Sequence, residues 1–209
     1  MKNIYDDIMT MKPRYDTFGE NLFWSYANWQ MIFATAQYGV EKFDRRSYMI
    51  RQGCYKKLCD GSRHISDLYK MNQTKVKAGN YCFYCHTEMP KEQLTLDHVF
   101  PRVKGGENEI DNIIFVCKSC NSSKGKRDLI EWFLLYRNEF PSPFVLGHYL
   151  RQVYDYVTKN NLMGLRFENV CEIDTPFEPR GILLPLQPQA ATHYLSMIKN
   201  FKGGDYDWY

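Results

Sequence analysis

Two Cys-x-x-Cys pairs, Cys82/Cys85 and Cys117/Cys120, constrain this chain more than anything else in it. Each pair makes a tight turn that aims two thiolates at one point. Two such turns complete a tetrahedron of soft ligands suited to Zn²⁺, with Zn–S near ~2.3 Å. Four protein ligands leave no open coordination position, so the spacing predicts a structural zinc. Apparent binding energies of about 10–16 kcal/mol are typical of such sites, and metal loss is expected to unfold the module. Cys82-Phe83-Tyr84-Cys85-His86 also fits a haem-attachment pattern. Covalent haem would need export and would leave Cys117 and Cys120 without a role. Between the pairs lie Asp97-His98 and Asn112, and Asn121 directly follows the last cysteine. These residue types suggest a second, hydrolytic metal site held between the two knuckles.

Seven cysteines do not fit a disulfide framework. Cys54, Cys59 and Cys171 bear no regular relation to the four paired ones and read as ordinary partly buried thiols. The pattern points to a reducing compartment, and the chain is expected to be cytoplasmic. The N-terminus lacks the apolar stretch of a secretory peptide. Asn21 to Val40 carries no charge, but Asn21, Ser25, Asn28, Gln30, Thr35 and Gln37 argue against a membrane span and for a buried aromatic-rich helix. The formal net charge of +3 says little; its distribution says more. Basic residues gather between Lys42 and Lys57 and between Lys118 and Arg127, while acids gather near the C-terminus. That suits a polyphosphate partner, or for the first run merely a solvated helix face.

The reading of the fold is α+β and mostly helical, a small zinc-stapled core of strand, loop, strand and helix (ββα) with helical flanks. It divides as 1–79 helical, 80–140 the metal module, and 141–209 helical or irregular and packed on the module. Leu22, Tyr26, Trp29, Phe33, Ala36 and Val40 mark one helix face, which packs on the chain's own core or forms a dimer seam. Asp60-Gly61-Ser62 reads as a turn, and Ala78-Gly79-Asn80 as the entry to the module. Leu94–Leu96 and Ile113–Val116 read as strands, with Pro101 ending the first. Ser122 or Ser123 is expected to cap a helix through Leu129, Trp132, Phe133, Tyr136 and Phe140. A further helix is expected from Phe144 to Lys159 and a last one around Ala190 to Phe201.

Asp97-His98-Val99-Phe100-Pro101, Gly105-Gly106, Asp111-Asn112 and Cys117-x-x-Cys120-Asn121 with Lys124 resemble the HNH endonuclease family, in its four-cysteine zinc-binding branch. The resemblance covers nearly fifty residues, about a quarter of the chain; the flanks resemble no family. It implies that Asp97 holds the catalytic metal, that His98 is the general base, and that Asn112 orients the histidine and ties the loop. Asn121 would be a neutral oxygen ligand where many members carry His. Lys124 would lie near the substrate phosphate. The chemistry agrees with these types. Oxygen ligands from Asp97 and Asn121 suit Mg²⁺ or Mn²⁺, and an imidazole titrating near neutrality can take a proton from water. Because Asp97 and His98 are adjacent, the backbone is expected to bulge there. Taken singly, Asn121 reads as a helix cap and Asn112 as a turn residue. His64, His86, His148 and His193 read as structural.

The resemblance further implies double-stranded DNA as substrate, with Arg102, Lys104, Lys118, Lys124, Lys126 and Arg127 available to neutralise phosphates. One site cuts one strand, so a homodimer is one route to double-strand cleavage. Two other readings stand beside it: a catalytically silent zinc module that binds nucleic acid or a partner protein, and an effector nuclease subunit activated by a partner. Tyr206, Trp208 and Tyr209 could dock such a partner or pack on their own chain.

Overall fold

A capping box sets the start of the longest helix. The computed structural model describes residues 4–38, 42–65, 81–186 and 193. After the short helix α1 (Ile4–Met9), Thr17 accepts from the Glu20 backbone N–H at 3.3 Å while Glu20 reaches back to the Thr17 N–H, opening α2 (Phe18–Gln37). The apolar stripe Leu22, Tyr26, Trp29, Phe33 and Ala36 is buried in the chain's own core; Val40 lies outside the described residues. Asn21 is also fully buried, and its amide accepts from the Arg14 and Tyr15 N–H groups and donates to the Tyr15 and Thr17 carbonyls. All its polar atoms are thereby satisfied, as burial requires.

Asp44 caps α3 (Arg45–Cys59), which lies against α2 with Thr35 Oγ1 and Ser47 Oγ 2.8 Å apart. The turn at Asp60-Gly61-Ser62 follows, closed by Asp60 accepting from the Ser62 N–H. Ala78-Gly79-Asn80 lies outside the described residues. Strands β1 (Leu94–His98) and β2 (Ile113–Cys117) form an antiparallel pair in one-to-one register from Leu94↔Cys117 to His98↔Ile113. No residue is skipped, so the expected bulge at Asp97-His98 is absent; the chain bends one residue later, at Val99 and Phe100.

The helix after β2 differs from the sequence expectation. It begins earlier, as α4 (Lys118–Lys124), and Cys117 rather than a serine caps it, its Sγ accepting from the Cys120 N–H at 3.4 Å. It also ends earlier. Gly125 takes φ +54°, a left-handed conformation that stops the helix. Asp128 then caps α5 (Leu129–Glu131), which continues as a π-helical turn, Trp132–Arg137. After Pro141, α6 runs Pro143–Lys159 under a Ser142 cap, then α7 (Phe167–Cys171) and a 3₁₀ segment, Pro179–Leu186. The helix expected at Ala190 to Phe201 lies outside the described residues apart from His193, as does the aromatic tail. Cys54 is buried, Cys171 half-buried and Cys59 exposed. Among the described residues no helix is long and apolar enough to cross a membrane. The architecture is mostly helical around a small two-stranded sheet.

The wrapping helices meet where Trp29 lies over the start of α6. Its indole N–H donates to the Pro143 carbonyl at 2.6 Å, and a Cβ on Gly147 would meet the ring at 2.6 Å. A fused ring enclosed in a core cannot give way as a flexible chain can, so Gly147→Ala should destabilise the protein by about 1–3 kcal/mol. Thermal melting checks this, the melting temperature falling while metal content stays constant.

Asp128 joins the module to the C-terminal segment. Fully enclosed, it accepts from the Ile130, Glu131 and Glu178 N–H groups at 2.8, 3.0 and 3.3 Å. Burial raises its carboxyl from an ordinary 3.8 to about 6, against the pull of those donors. With the folded value above the unfolded one, the stability linked to protonation is complete below the ordinary value and is lost as pH rises through about 6. Asp128→Asn mimics the protonated form. It should flatten the fall in stability across that window, a fall on the order of 3 kcal/mol in the unsubstituted chain, as read by denaturant midpoints across the same pH range.

Candidate active site and metal centre

The first knuckle is a turn closed by the His86 N–H donating to the Cys82 carbonyl at 2.8 Å, and Phe83 N–H docks it on Phe115 of β2 at 3.0 Å. The second knuckle is the junction of β2 and α4. Together they bring the Sγ atoms of Cys82, Cys85, Cys117 and Cys120 within 4.8 Å of one another. Cys85 and Cys117 are 3.9 Å apart, close to the edge of about 3.8 Å of a tetrahedron with Zn–S bonds of ~2.3 Å. Burial raises the Cys85 thiol, but Thr87 and the neighbouring cysteines outweigh it and bring the group down to about 7, so its thiolate is accessible near neutrality. Arg137 Nη1 lies 3.6 Å from Cys120 Sγ and adds positive charge to a ligand set rich in negative charge.

Asp97 is buried, with only 7% exposure. Its Oδ2 accepts from the Tyr84 hydroxyl at 2.7 Å and lies 3.1 Å from Lys124 Nζ. Tyr84 sits between the two cysteines of the first knuckle, so the zinc-type turn and the carboxylate are joined by one hydrogen bond. Lys124 Nζ also donates to the His98 carbonyl at 2.7 Å, tying α4 to the end of β1. Asn121, three residues earlier on α4, donates through Nδ2 to Thr95 Oγ1 and the Leu96 carbonyl, each at 3.1 Å. Thr95 and Asp97 share one face of β1 by strand alternation, so Asn121 stands on the Asp97 side. No described residue donates to Asn121 Oδ1 or to Asp97 Oδ1. His98 is the last residue of β1 and half-buried; its Nε2 is 2.7 Å from Asn108 Oδ1.

Asn112 is fully buried, and all three of its side-chain hydrogen bonds go to the backbone of the loop joining the strands. It accepts from Phe100 N–H at 2.7 Å and donates to the Phe100 and Glu107 carbonyls at 3.1 and 2.9 Å. It therefore ties the loop, and the imidazole's partner is Asn108 instead. Gly106 permits the closure, since a Cβ there would meet the Phe100 carbonyl oxygen at 1.9 Å. A polar cleft of about 500 Å³ lies between this loop and α6, lined by residues that include Glu107, Glu109, Arg151 and Lys159. Its walls hold none of the four cysteines, Asp97, His98 or Asn121.

A correction concerns the basic residues. Lys124 is 0% exposed and committed to Asp97 and the His98 carbonyl, so it cannot meet a substrate phosphate directly. Burial lowers its pKa, with Asp97 opposing that shift. Arg127 is half-buried and folds back on the Ser123 carbonyl and over the Tyr136 ring. Arg102, Lys104, Lys118 and Lys126 are exposed. Tyr84, Asn108 and Arg137 went unread in the sequence. Tyr84 alone carried a local signal, as a polar-tipped ring inside a metal knuckle; Arg137 and Asn108 reach their partners only through tertiary folding.

The family described as HNH endonuclease matches residues 82–128. Those residues carry an HNH endonuclease domain. The CRISPR-associated endonuclease Cas9 of Actinomyces naeslundii is 29% identical over 98 residues, 44% of this chain and 9% of that protein. The CRISPR-associated endonuclease Cas9 of Corynebacterium diphtheriae is 30% identical over 73 residues, 34% of this chain and 7% of that protein. The matched part is thus less than a tenth of either relative. No solved structure matches the chain.

Within the HNH domain, the Tyr84 hydroxyl is, among the described residues, the one neutral donor to the buried Asp97 carboxylate. Tyr84→Phe keeps the ring against Trp132 and Phe133 while removing that bond. It should destabilise the fold by about 1.5–3 kcal/mol, the range for hydrogen bonds to charged groups, as measured by urea unfolding with zinc content monitored in parallel.

Proposed function

We propose that the chain is a metal-dependent endonuclease that hydrolyses phosphodiester bonds of DNA. The observation that carries the reading is the pair of oxygens that no described residue donates to, Asp97 Oδ1 and Asn121 Oδ1, on one side of a zinc-type ββα core. These suit one hard divalent cation, Mg²⁺ or Mn²⁺, which keeps several waters and takes phosphate oxygens as further ligands. When bound, that ion would stabilise negative charge on the scissile phosphate and the leaving oxygen. The four thiolates suit a structural Zn²⁺.

Each side chain then has a defined task. Tyr84 and Lys124 hold Oδ2 of Asp97 and so fix the direction of its other oxygen. The Asn121 amide is oriented by the two bonds its Nδ2 makes to β1. His98, at the strand end, takes the proton of the attacking water at a ring nitrogen. Asn108 is hydrogen-bonded to Nε2, and if it keeps that bond during the reaction, Nδ1 is the accepting atom. Asn112 keeps the intervening loop closed, and the exposed Arg102, Lys104 and Lys126 meet backbone phosphates. The substrate is double-stranded DNA, and a dimer or an activating partner would determine whether one or both strands are cut.

A plasmid assay tests this. The chain should relax supercoiled DNA with Mg²⁺ or Mn²⁺ and not after EDTA treatment. His98→Ala should lower the rate by about 10²-fold or more, the weight of a general base, with its melting temperature unchanged. Equal cleavage by the variant would remove His98 from the mechanism. The absence of cleavage under every metal condition would favour a silent zinc module.

A further inference from the structure

We infer that the outer face of α3, together with the segment that precedes α2, is a second nucleic-acid contact, separate from the HNH domain, in which Arg14 and Arg51 bind backbone phosphates. The inference rests on the proposed nucleic-acid partner, but not on cleavage. Both guanidinium groups lie over the Trp24 ring, at 4.6 and 4.4 Å from its centroid. Two like charges on one indole repel each other, Arg14 adding to the downward shift that burial gives Arg51, and a phosphate beside either guanidinium relieves that repulsion. Neither arginine has a carboxylate in ion-pair range among the described residues, nor has Arg45. Arg51 donates through Nη1 to Asn28 at 3.2 Å, whereas its Nε is buried and has no acceptor among the described residues. The cation is thus left with few protein acceptors, which favours an anion beside its terminal nitrogens.

The surroundings suit a nucleic-acid strand better than a small anion. Arg45, Tyr48 and Arg51 follow at three-residue intervals on α3, an alternation of charge and ring along one helical face. Tyr48 is 44% exposed and holds the Arg51 guanidinium over its ring at 4.9 Å. Fixed guanidinium planes with an open aromatic beside them can neutralise phosphates and stack on a base.

The experiment measures binding apart from catalysis. The His98→Ala chain in EDTA-free, magnesium-free buffer is titrated into labelled duplex and single-stranded DNA of equal length, and fluorescence anisotropy is followed across a salt series. Arg14→Gln, at an exposed position, and Arg51→Gln should each weaken binding several-fold and reduce the log–log salt slope by about one. Lys91→Gln, the same charge change beside the knuckle, should leave both nearly unchanged. A fall confined to one DNA form still supports the contact and identifies the strand state it prefers. Unchanged affinity and slope in both arginine variants, an equal fall in Lys91→Gln, or no DNA binding at all would overturn it. Melting curves guard against misfolding of Arg51→Gln, and Arg14→Gln carries the test alone if that variant does not fold. The outcomes stay separable from the nuclease reading: arginine-dependent binding without any plasmid cleavage sinks only the nuclease, and cleavage with arginine-independent binding sinks only this contact.

Discussion

A buried ammonium group organises the ββα unit. Lys124 leaves α4, crosses to β1 and contacts both the Asp97 carboxylate and the His98 carbonyl without any exposure to solvent. Removing a charge from water is unfavourable by several kcal/mol, and only a well-placed partner offsets it. Asp97 is that partner, and it is in turn satisfied by Tyr84. Helix, strand and knuckle are therefore held in one relation by three side chains that each depend on the others. Losing either charge leaves the other enclosed and unpaired, so the arrangement tolerates little displacement.

Around that centre the other described residues act as a jacket. Residues from the N-terminal helices, the HNH domain and the C-terminal segment contribute to one continuous core. Trp29 connects α2 to α6, and Asp128 connects the end of the HNH domain to the segment before Pro179. A ββα module alone has too little apolar surface to be strongly stable. The jacket supplies what the small sheet lacks, and it leaves the outer side of α3 free to carry charge.

Much of this was legible in the sequence because the informative signals were local. Cysteine spacing predicts convergence of four sulfurs, since each knuckle is a turn of a few residues. The stripe from Leu22 to Ala36 predicts burial because helical periodicity is local as well. The strands emerge within two residues of their expected ends. The losses are tertiary. Ser122 and Ser123 looked like caps, yet Cys117 takes that role because the knuckle already sets the backbone before α4. Lys124 looked like a surface cation, and nothing in its neighbours reveals a carboxylate 27 residues upstream. The bulge was inferred from the need for two adjacent side chains to cooperate, whereas the bend at Val99 and Phe100 falls just beyond the strand. Asn112 was legible as the residue that ties the loop but not as one indifferent to the imidazole.

That indifference has a consequence for how such a module can diversify. Asn112 grips main-chain atoms of Phe100 and Glu107 only, so the clamp recognises the path of the loop and is blind to most of the side chains along it. Residues 102–104, 109 and 110 can be exchanged as a cassette, provided the length, the positive-φ Gly105, Gly106 and the histidine's partner Asn108 are kept, without loosening the two strands. A single amide thus separates the scaffold from whatever the loop displays, and new specificities could be grafted there with the sheet and its metal staple left as they are.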